Sequence, residues 1–290
     1  MFAPAVSQEL TGGRLHLAHG PIDVVLKAWG TGEALRAAYA AADRRFATIL
    51  PELCDELVAL RRPLSDRPVV TGPVARRMLE ACQPFADVFL TPMAAVAGAV
   101  ADELLSHMSA AAPLQRVFVN NGGDIAVWIA RGQSLEIGVA GSFSRGNVPL
   151  INATMRLEGG CGVGGIATSG ARGRSFSLGI ADAVSVLGRT AAAADAAATL
   201  IANAVNITSP AVARRPAREL DPDSDLGDRL VTVAVGALTE AEIEAALAAG
   251  RARAEQYRRR GLIVDAVLML DRHTEMLGGA GATPVGAALP

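Results

Sequence analysis

The 290-residue chain sets 27 Lys and Arg against 29 Asp and Glu, a formal charge of −2, and 51% of its residues are hydrophobic. That balance argues against nucleic acid or an anionic membrane as the main partner, and the length allows one large domain or two intimate halves with a substantial core. Cys54, Cys82 and Cys161 lie far apart with no Cys-x-x-Cys pair, so neither a disulfide framework nor a zinc site is expected and a reducing compartment fits. No uncharged apolar run reaches the roughly 18 residues of a membrane span, and no basic segment followed by an apolar one marks a secretory signal. A cytoplasmic location is the expectation.

In chain order, Arg14–Ala18 and Ile22–Trp29 read as a hairpin about a His19-Gly20-Pro21 turn. Residues 33–60 have helical periodicity, with Pro51 expected to open a second helix there. Gly72-Pro73 starts a helix to about Cys82, and 92–108 reads as one small-residue helix whose Ala and Gly let another backbone approach closely. Strands are expected at 115–119, 124–130, 134–140, 151–157, 162–168 and 181–187, then a buried helix at 190–205 with Thr190 as N-cap. Residues 209–228 read as an exposed loop, 230–235 as a strand, 239–260 as an amphipathic helix opened by a Thr239/Glu242 capping box, and 262–270 as a last strand. The tail, 278–290, is expected to lack structure, leaving 1–277 as a single domain. Strands that come mostly in adjacent pairs favour α+β, antiparallel sheets with packed helices, over a doubly wound sheet.

The segment 191–205 is Ala, Leu, Ile and Val apart from Asp195, Thr199 and Asn203. Their spacing of four puts all three on one helix face. A helix apolar nearly all round belongs inside the protein, where a carboxylate has to be paired, hydrogen-bonded or metal-bound. No Lys or Arg occurs from 191 to 213. A polar seam bonded to neighbouring backbone is one reading. An oxygen-rich cation site is the other, since Mg²⁺ takes few protein oxygens and keeps room for water and phosphate.

Asn120-Asn121-Gly122-Gly123-Asp124 lies between two β-runs, as a type I′ hairpin turn does. It also reads as a backbone-lined loop that admits a flat or anionic ligand. Gly160–Gly165 matches G-x-G-x-x-G literally but precedes a strand instead of opening a helix, so it is no dinucleotide fingerprint. No P-loop lysine exists, because Lys27 is the only lysine. Thr168-Ser169-Gly170 is a turn or a cluster of hydroxyl and backbone donors. None of His16, His19, His107 and His273 falls near a strand-turn-helix serine.

Together, TPMAAVAGAVAD (91–102), VNNGGDIAVW (119–128), GGIATSG (164–170), SFSLGIADAVSVLG (175–188) and AAAADAAATLIANAV (191–205) resemble the FAD:protein FMN transferase family. These are the ApbE-like proteins, and the chain is most similar to their UPF0280 branch. The resemblance implies an α+β, T-fold-related architecture that binds a divalent cation, Mg²⁺, and a flavin nucleotide, FAD or FMN. It implies cation ligands at Asp195, Thr199 and the Ala94 carbonyl. It implies a nucleotide bordered by Asn121, Gly122, Gly123 and Asp124 and by Ala167, Thr168, Ser169 and Gly170. Ala97 stands where the transferases usually carry lysine, and their histidine after Ala-Thr-Ser-Gly has no counterpart, Arg174 being the nearest polar residue. At most, then, a Mg²⁺-dependent FAD pyrophosphohydrolase or FMN transferase-like activity is expected. The alternatives are a binding module without turnover, or an enzyme on another small anionic substrate. The partner expected is a small nucleotide, with a homo-oligomer and an acceptor protein left open.

Overall fold

The structure is a computed structural model that describes residues 3–142, 150–173, 175–278 and 283–285. Its elements begin with β1 (Val6–Leu10), β2 (Arg14–His19), β3 (Ile22–Trp29), α1 (Gly32–Asp55), α2 (Leu57–Leu60), α3 (Pro73–Cys82) and α4 (Val96–Ala111). There follow β4 (Arg116–Asn121), β5 (Asp124–Ile129), β6 (Ser134–Ser142), β7 (Leu150–Glu158), β8 (Gly165–Ser169), β9 (Ala183–Gly188) and α5 (Ala191–Ala204). The chain then forms β10 (Val212–Pro216), α6 (Ala217–Leu220), β11 (Leu230–Val235), α7 (Glu240–Arg259), β12 (Asp265–Leu270), β13 (His273–Met276) and β14 (Thr283–Val285). Strands β1–β2, β2–β3, β3–β4, β4–β5, β5–β8, β9–β12, β12–β13, β10–β11 and β7–β14 pair antiparallel, and the class is α+β.

Several elements differ from the sequence reading. Helix α1 runs unbroken through Pro51. Phe46, Ile49, Leu50 and Leu53 continue its buried stripe past the exposed proline, and that packing outweighs one lost backbone bond near the helix end. Residues 92–108 are not one helix: a 3₁₀ turn, Pro92–Ala95, breaks at Ala95 (φ −126°, ψ 12°) before α4 begins. Within the expected loop 209–228, β10 pairs with β11 and α6 follows. β1 and β13 carry too little apolar alternation to be read as strands. The tail contributes Thr283–Val285 as a strand on β7; residues 279–282 and 286–290 lie outside the described residues.

The chain divides into two compact units. The first comprises residues 1–135, 158–167 and 188–196. Its strands run in the order β1-β2-β3-β4-β5-β8. Leu15, Leu17, Val24, Leu26, Val117 and Val119 are buried on one face of this sheet, against which α1 and α4 pack. A buried ion network ties the helices: Glu103 of α4 accepts from Arg45 Nε of α1 (2.8 Å) and Arg77 Nε of α3 (2.9 Å).

The second unit comprises residues 136–157, 168–187 and 197–290. Here β9, β12 and β13 pair in that order, β7 lies between β14 and β6, and β10–β11 form a two-stranded ribbon. Helix α7 packs on β12 and β13 through a buried stripe that includes Ile243, Leu247, Ala254 and Tyr257. Its Thr239/Glu242 capping box forms as expected. Helix α5 begins in the first unit and ends in the second.

Candidate functional site around Asp195

Helices α4 and α5 meet N-terminus to side chain in both directions. Asp195, in the second turn of α5, accepts the Gly98 N–H at 3.1 Å through Oδ2, and the Ala97 N–H also bonds its carboxylate. Ala97 and Gly98 are the second and third residues of α4. In return, Asp102 of α4 accepts the N–H groups of Ala191 (3.0 Å) and Ala192 (2.9 Å), the first two residues of α5. Each carboxylate thus serves donors that have no partner inside the other helix. Thr190 adds the expected cap, accepting from Ala193 N at 3.2 Å. No side chain of its own caps α4, which makes Asp195 its cap across 97 residues of sequence.

Glycines make this approach possible. A Cβ on Gly98 would lie 2.3 Å from the Ala191 carbonyl oxygen, and one on Gly165 would lie 2.1 Å from Ala191 N. The close approach expected of 92–108 is this one. The Gly-Gly at 164–165 therefore seats β8 against the start of α5.

The Asn121–Asp124 segment joins the same place. Gly122 (φ 64°) and Gly123 (φ 119°) form a two-residue hairpin loop between paired Asn121 and Asp124, and Gly123 N donates to Asn120 Oδ1 at 2.9 Å. The turn reading therefore holds. Asn121 Nδ2 also donates to the Ala97 carbonyl at 3.1 Å, so the loop is fastened to the first turn of α4, where Asp195 binds.

Among the described residues, the groups that act most on Asp195 are acidic side chains and backbone amides. Asp195 is half-buried. Burial first, and then the negative charge of Asp124, hold its carboxyl well above the usual carboxylate range, against the opposing pull of the Gly98 and Ala97 amides. Asp102 is pushed up to about 6, mainly by burial, with its two amide bonds and Arg77 working against the shift. Cys82 donates its thiol to the Thr91 carbonyl (3.7 Å), and burial raises it far from reactivity.

The remaining candidates divide as follows. Ala94 lies in the 3₁₀ turn ahead of α4. Thr199 sits one turn beyond Asp195 on the half-buried face of α5. Its hydroxyl makes no hydrogen bond among the described residues. Asn203 fits the reading of a polar seam bonded to backbone, accepting from Leu178 N at 2.9 Å to hold the 177–178 loop. Ala167 is fully buried. Thr168, Ser169 and Gly170 belong to the second unit, where the Thr168 hydroxyl bonds Ser185 at 2.8 Å. Arg174 lies outside the described residues.

The second unit has a cleft of about 780 Å³, lined by Arg172, Asp182, Thr232, Asp271 and residues 233–238, among others. Asp182 pairs with Arg172 and accepts the Asp271 N–H at 2.7 Å, while burial raises its carboxyl. Thr232 and Asp271 were not legible as site residues. A turn-forming Asp directly after the last expected strand was the sequence signal for Asp271, which the structure places at φ 54°.

Among the described residues no group of three or more His, Cys, Asp or Glu side chains converges as a metal cluster. A cation at Asp195 would therefore rest on one carboxylate with hydroxyl, carbonyl, water or phosphate oxygens. That donor chemistry fits Mg²⁺, a hard ion that keeps part of its water shell, and the two carboxyls at Asp195 and Asp124 favour a positive ion beside them. No described helix is long and apolar enough to cross a membrane.

Comparison with known proteins agrees with the motifs. A UPF0280 protein of Methanopyrus kandleri is 38% identical over 151 residues, 52% of this chain and 56% of that protein. One of Methanothrix thermoacetophila is 37% identical over 153 residues, 52% and 60% of the two chains. The matched stretch spans about half the length of these relatives. Among solved structures, the ApbE protein of Thermotoga maritima aligns over 95% of this chain and 97% of its own, with a TM-score of 0.48 and 12% identity. A mutant of the flavin transferase ApbE from Vibrio cholerae aligns over 98% and 97%, with a TM-score of 0.47 and 11% identity. A family model described as "AbpE bacteria" matches residues 6–278, nearly the whole chain. The chain belongs to this bacterial AbpE family.

Proposed function

We propose that this chain binds a flavin or related nucleotide diphosphate together with Mg²⁺ at the site built on Asp195. The observation that carries the reading is the Asp195 carboxyl, seated on the first turn of α4 with Asp124 beside it. The principal groups acting on it are acidic side chains and amides, none of them a cationic side chain. When bound, the cation would offset diphosphate charge and favour departure of a phosphate group. Asp195 would supply the carboxylate oxygen, Thr199 a hydroxyl and Ala94 a carbonyl. The N-terminus of α4 adds a favourable dipole for anionic oxygen. Asn121, Gly122, Gly123 and Asp124 would border the nucleotide, as would Ala167, Thr168, Ser169 and Gly170. We place the protein in the cytoplasm.

Calorimetry of FAD binding with Mg²⁺ and with EDTA tests this reading, followed by assay of FMN and AMP as products. Tight binding that needs Mg²⁺ supports it; equal affinity in EDTA contradicts it.

One observation favours a module that binds without transferring. Ala97 offers no cationic side chain: its carbonyl is held by Asn121 and its N–H faces Asp195. Activation of an acceptor hydroxyl would then fall to Asp124 or Asp182. Retained FAD without product distinguishes this reading from slow hydrolysis.

A further inference from the structure

The two helix N-termini are served crosswise, and this gives a role to a residue that the functional reading does not use. Asp102 lies on α4 and binds the amides of Ala191 and Ala192. Asp195 lies on α5, four residues after Ala191, and binds the amide of Gly98. Gly98 and Asp102 are themselves four apart, one turn of α4. The contacts close a ring: Asp102 to the start of α5, along one turn to Asp195, across to Gly98, and along one turn back to Asp102. Only backbone and two short carboxylates make up this ring, so it has few soft torsions. The facing glycine leaves no slack, since the Ala191 carbonyl would be 2.3 Å from any Cβ on Gly98.

We propose that Asp102 is a positioning residue for the Asp195 site. By fixing the first turn of α5 it sets where the Asp195 carboxylate stands relative to the first turn of α4. This rests on Asp195 being the cation ligand only for its effect on metal binding; the positioning itself follows from the hydrogen bonds. Partners that orient a metal ligand from outside typically change affinity by about 10- to 100-fold when removed. A residue that merely stabilised the fold would lower the melting temperature and leave the affinity of the folded protein unchanged.

The test uses the full chain with Asp102→Ala, Asp102→Asn and, for reference, Asp195→Ala. Amide hydrogen exchange by NMR is read at Gly98 and at Val100–Leu104 deeper in α4, and Mn²⁺ affinity is read from the free-ion EPR signal. Asp102→Ala is expected to speed Gly98 exchange while Val100–Leu104 stay protected, and to weaken Mn²⁺ about tenfold. Asp102→Asn keeps one acceptor oxygen and is expected to fall between; should Asp102→Ala not fold, Asp102→Asn decides alone. Unchanged Gly98 exchange in a folded Asp102 variant overturns the proposal, as does exchange that rises equally throughout α4. If the unsubstituted protein fails to bind Mn²⁺, the cation reading falls, and the Gly98 exchange pattern still decides the positioning role.

Discussion

Gly98 and Ala191 touch backbone to backbone: a Cβ on Gly98 would meet the Ala191 carbonyl oxygen at 2.3 Å, its carbon at 2.4 Å and the Ala192 nitrogen at 2.6 Å. None of these atoms is the end of a flexible side chain, so one methyl group would force the two helices apart.

Gly98→Ala should therefore destabilise the protein by about 3 kcal/mol, the upper range for overpacking, although alanine is the better helix former. Urea denaturation measures this. A variant within about 0.5 kcal/mol of the original, as for an ordinary surface change, would show that the helices separate freely.

Asp195→Ala should abolish Mg²⁺-dependent nucleotide binding while changing stability little. Loss of a helix cap costs about 0.5–2 kcal/mol, but the substitution also removes an acidic group whose ionised form burial and Asp124 disfavour. Thermal melts set beside calorimetry separate the two effects. A large fall in melting temperature with binding retained would make Asp195 a structural cap alone.

The Asp102 carboxyl gives a pH dependence with a definite sign. Its folded value of about 6 lies above the ordinary 3.8. The folded protein thus holds a proton that the unfolded chain has already lost in this interval. The stability contributed by the neutral form is full below the lower value and is lost as pH rises through the upper one. The span corresponds to about 3 kcal/mol at 1.36 kcal/mol per unit. Asp102→Asn removes this titration, so the stability difference should move in the variant's favour between about pH 4 and about pH 7. Denaturant melts across that range check it; a constant difference would mean that Asp102 titrates normally.

Flavin transfer to a protein threonine should be weak or absent. Ala97 offers no cationic side chain, and Arg174, the nearest polar residue to the place of the missing histidine, carries a guanidinium, a poor general base. Incubation with FAD, Mg²⁺ and a threonine-containing acceptor peptide, read by mass spectrometry, is expected to give at most slow release of FMN and AMP. Robust covalent flavinylation would show that Ala97 and the missing histidine are no obstacle.

The sequence made α5 legible because three polar residues at intervals of four stand out in an apolar run, and because Thr190 is a good cap. The same holds for α7, whose Thr239 and Glu242 announce its start. The contacts of Asp195 were not legible. Reading 92–108 as one helix hid the break at Ala95, and with it the new N-terminus whose amides bind Asp195. Asp102 passed for an ordinary polar position in a small-residue helix, since its partners lie 89 and 90 residues away. Local periodicity reports which face is buried but not which distant backbone meets it. Pro51 shows the opposite failure, a local stop signal overridden by the apolar stripe that continues past it.

The central claim is that Asp195 brings a cation and a nucleotide diphosphate together. Calorimetric titration of FAD into the purified protein, in Mg²⁺ and then in EDTA, repeated with Asp195→Asn, tests it most directly. Asparagine keeps the shape and one acceptor for Gly98 but removes the anionic oxygen. The account predicts binding that is strong only with Mg²⁺ and only with Asp195 intact. Affinity equal in EDTA, or equal in the asparagine variant, would contradict it.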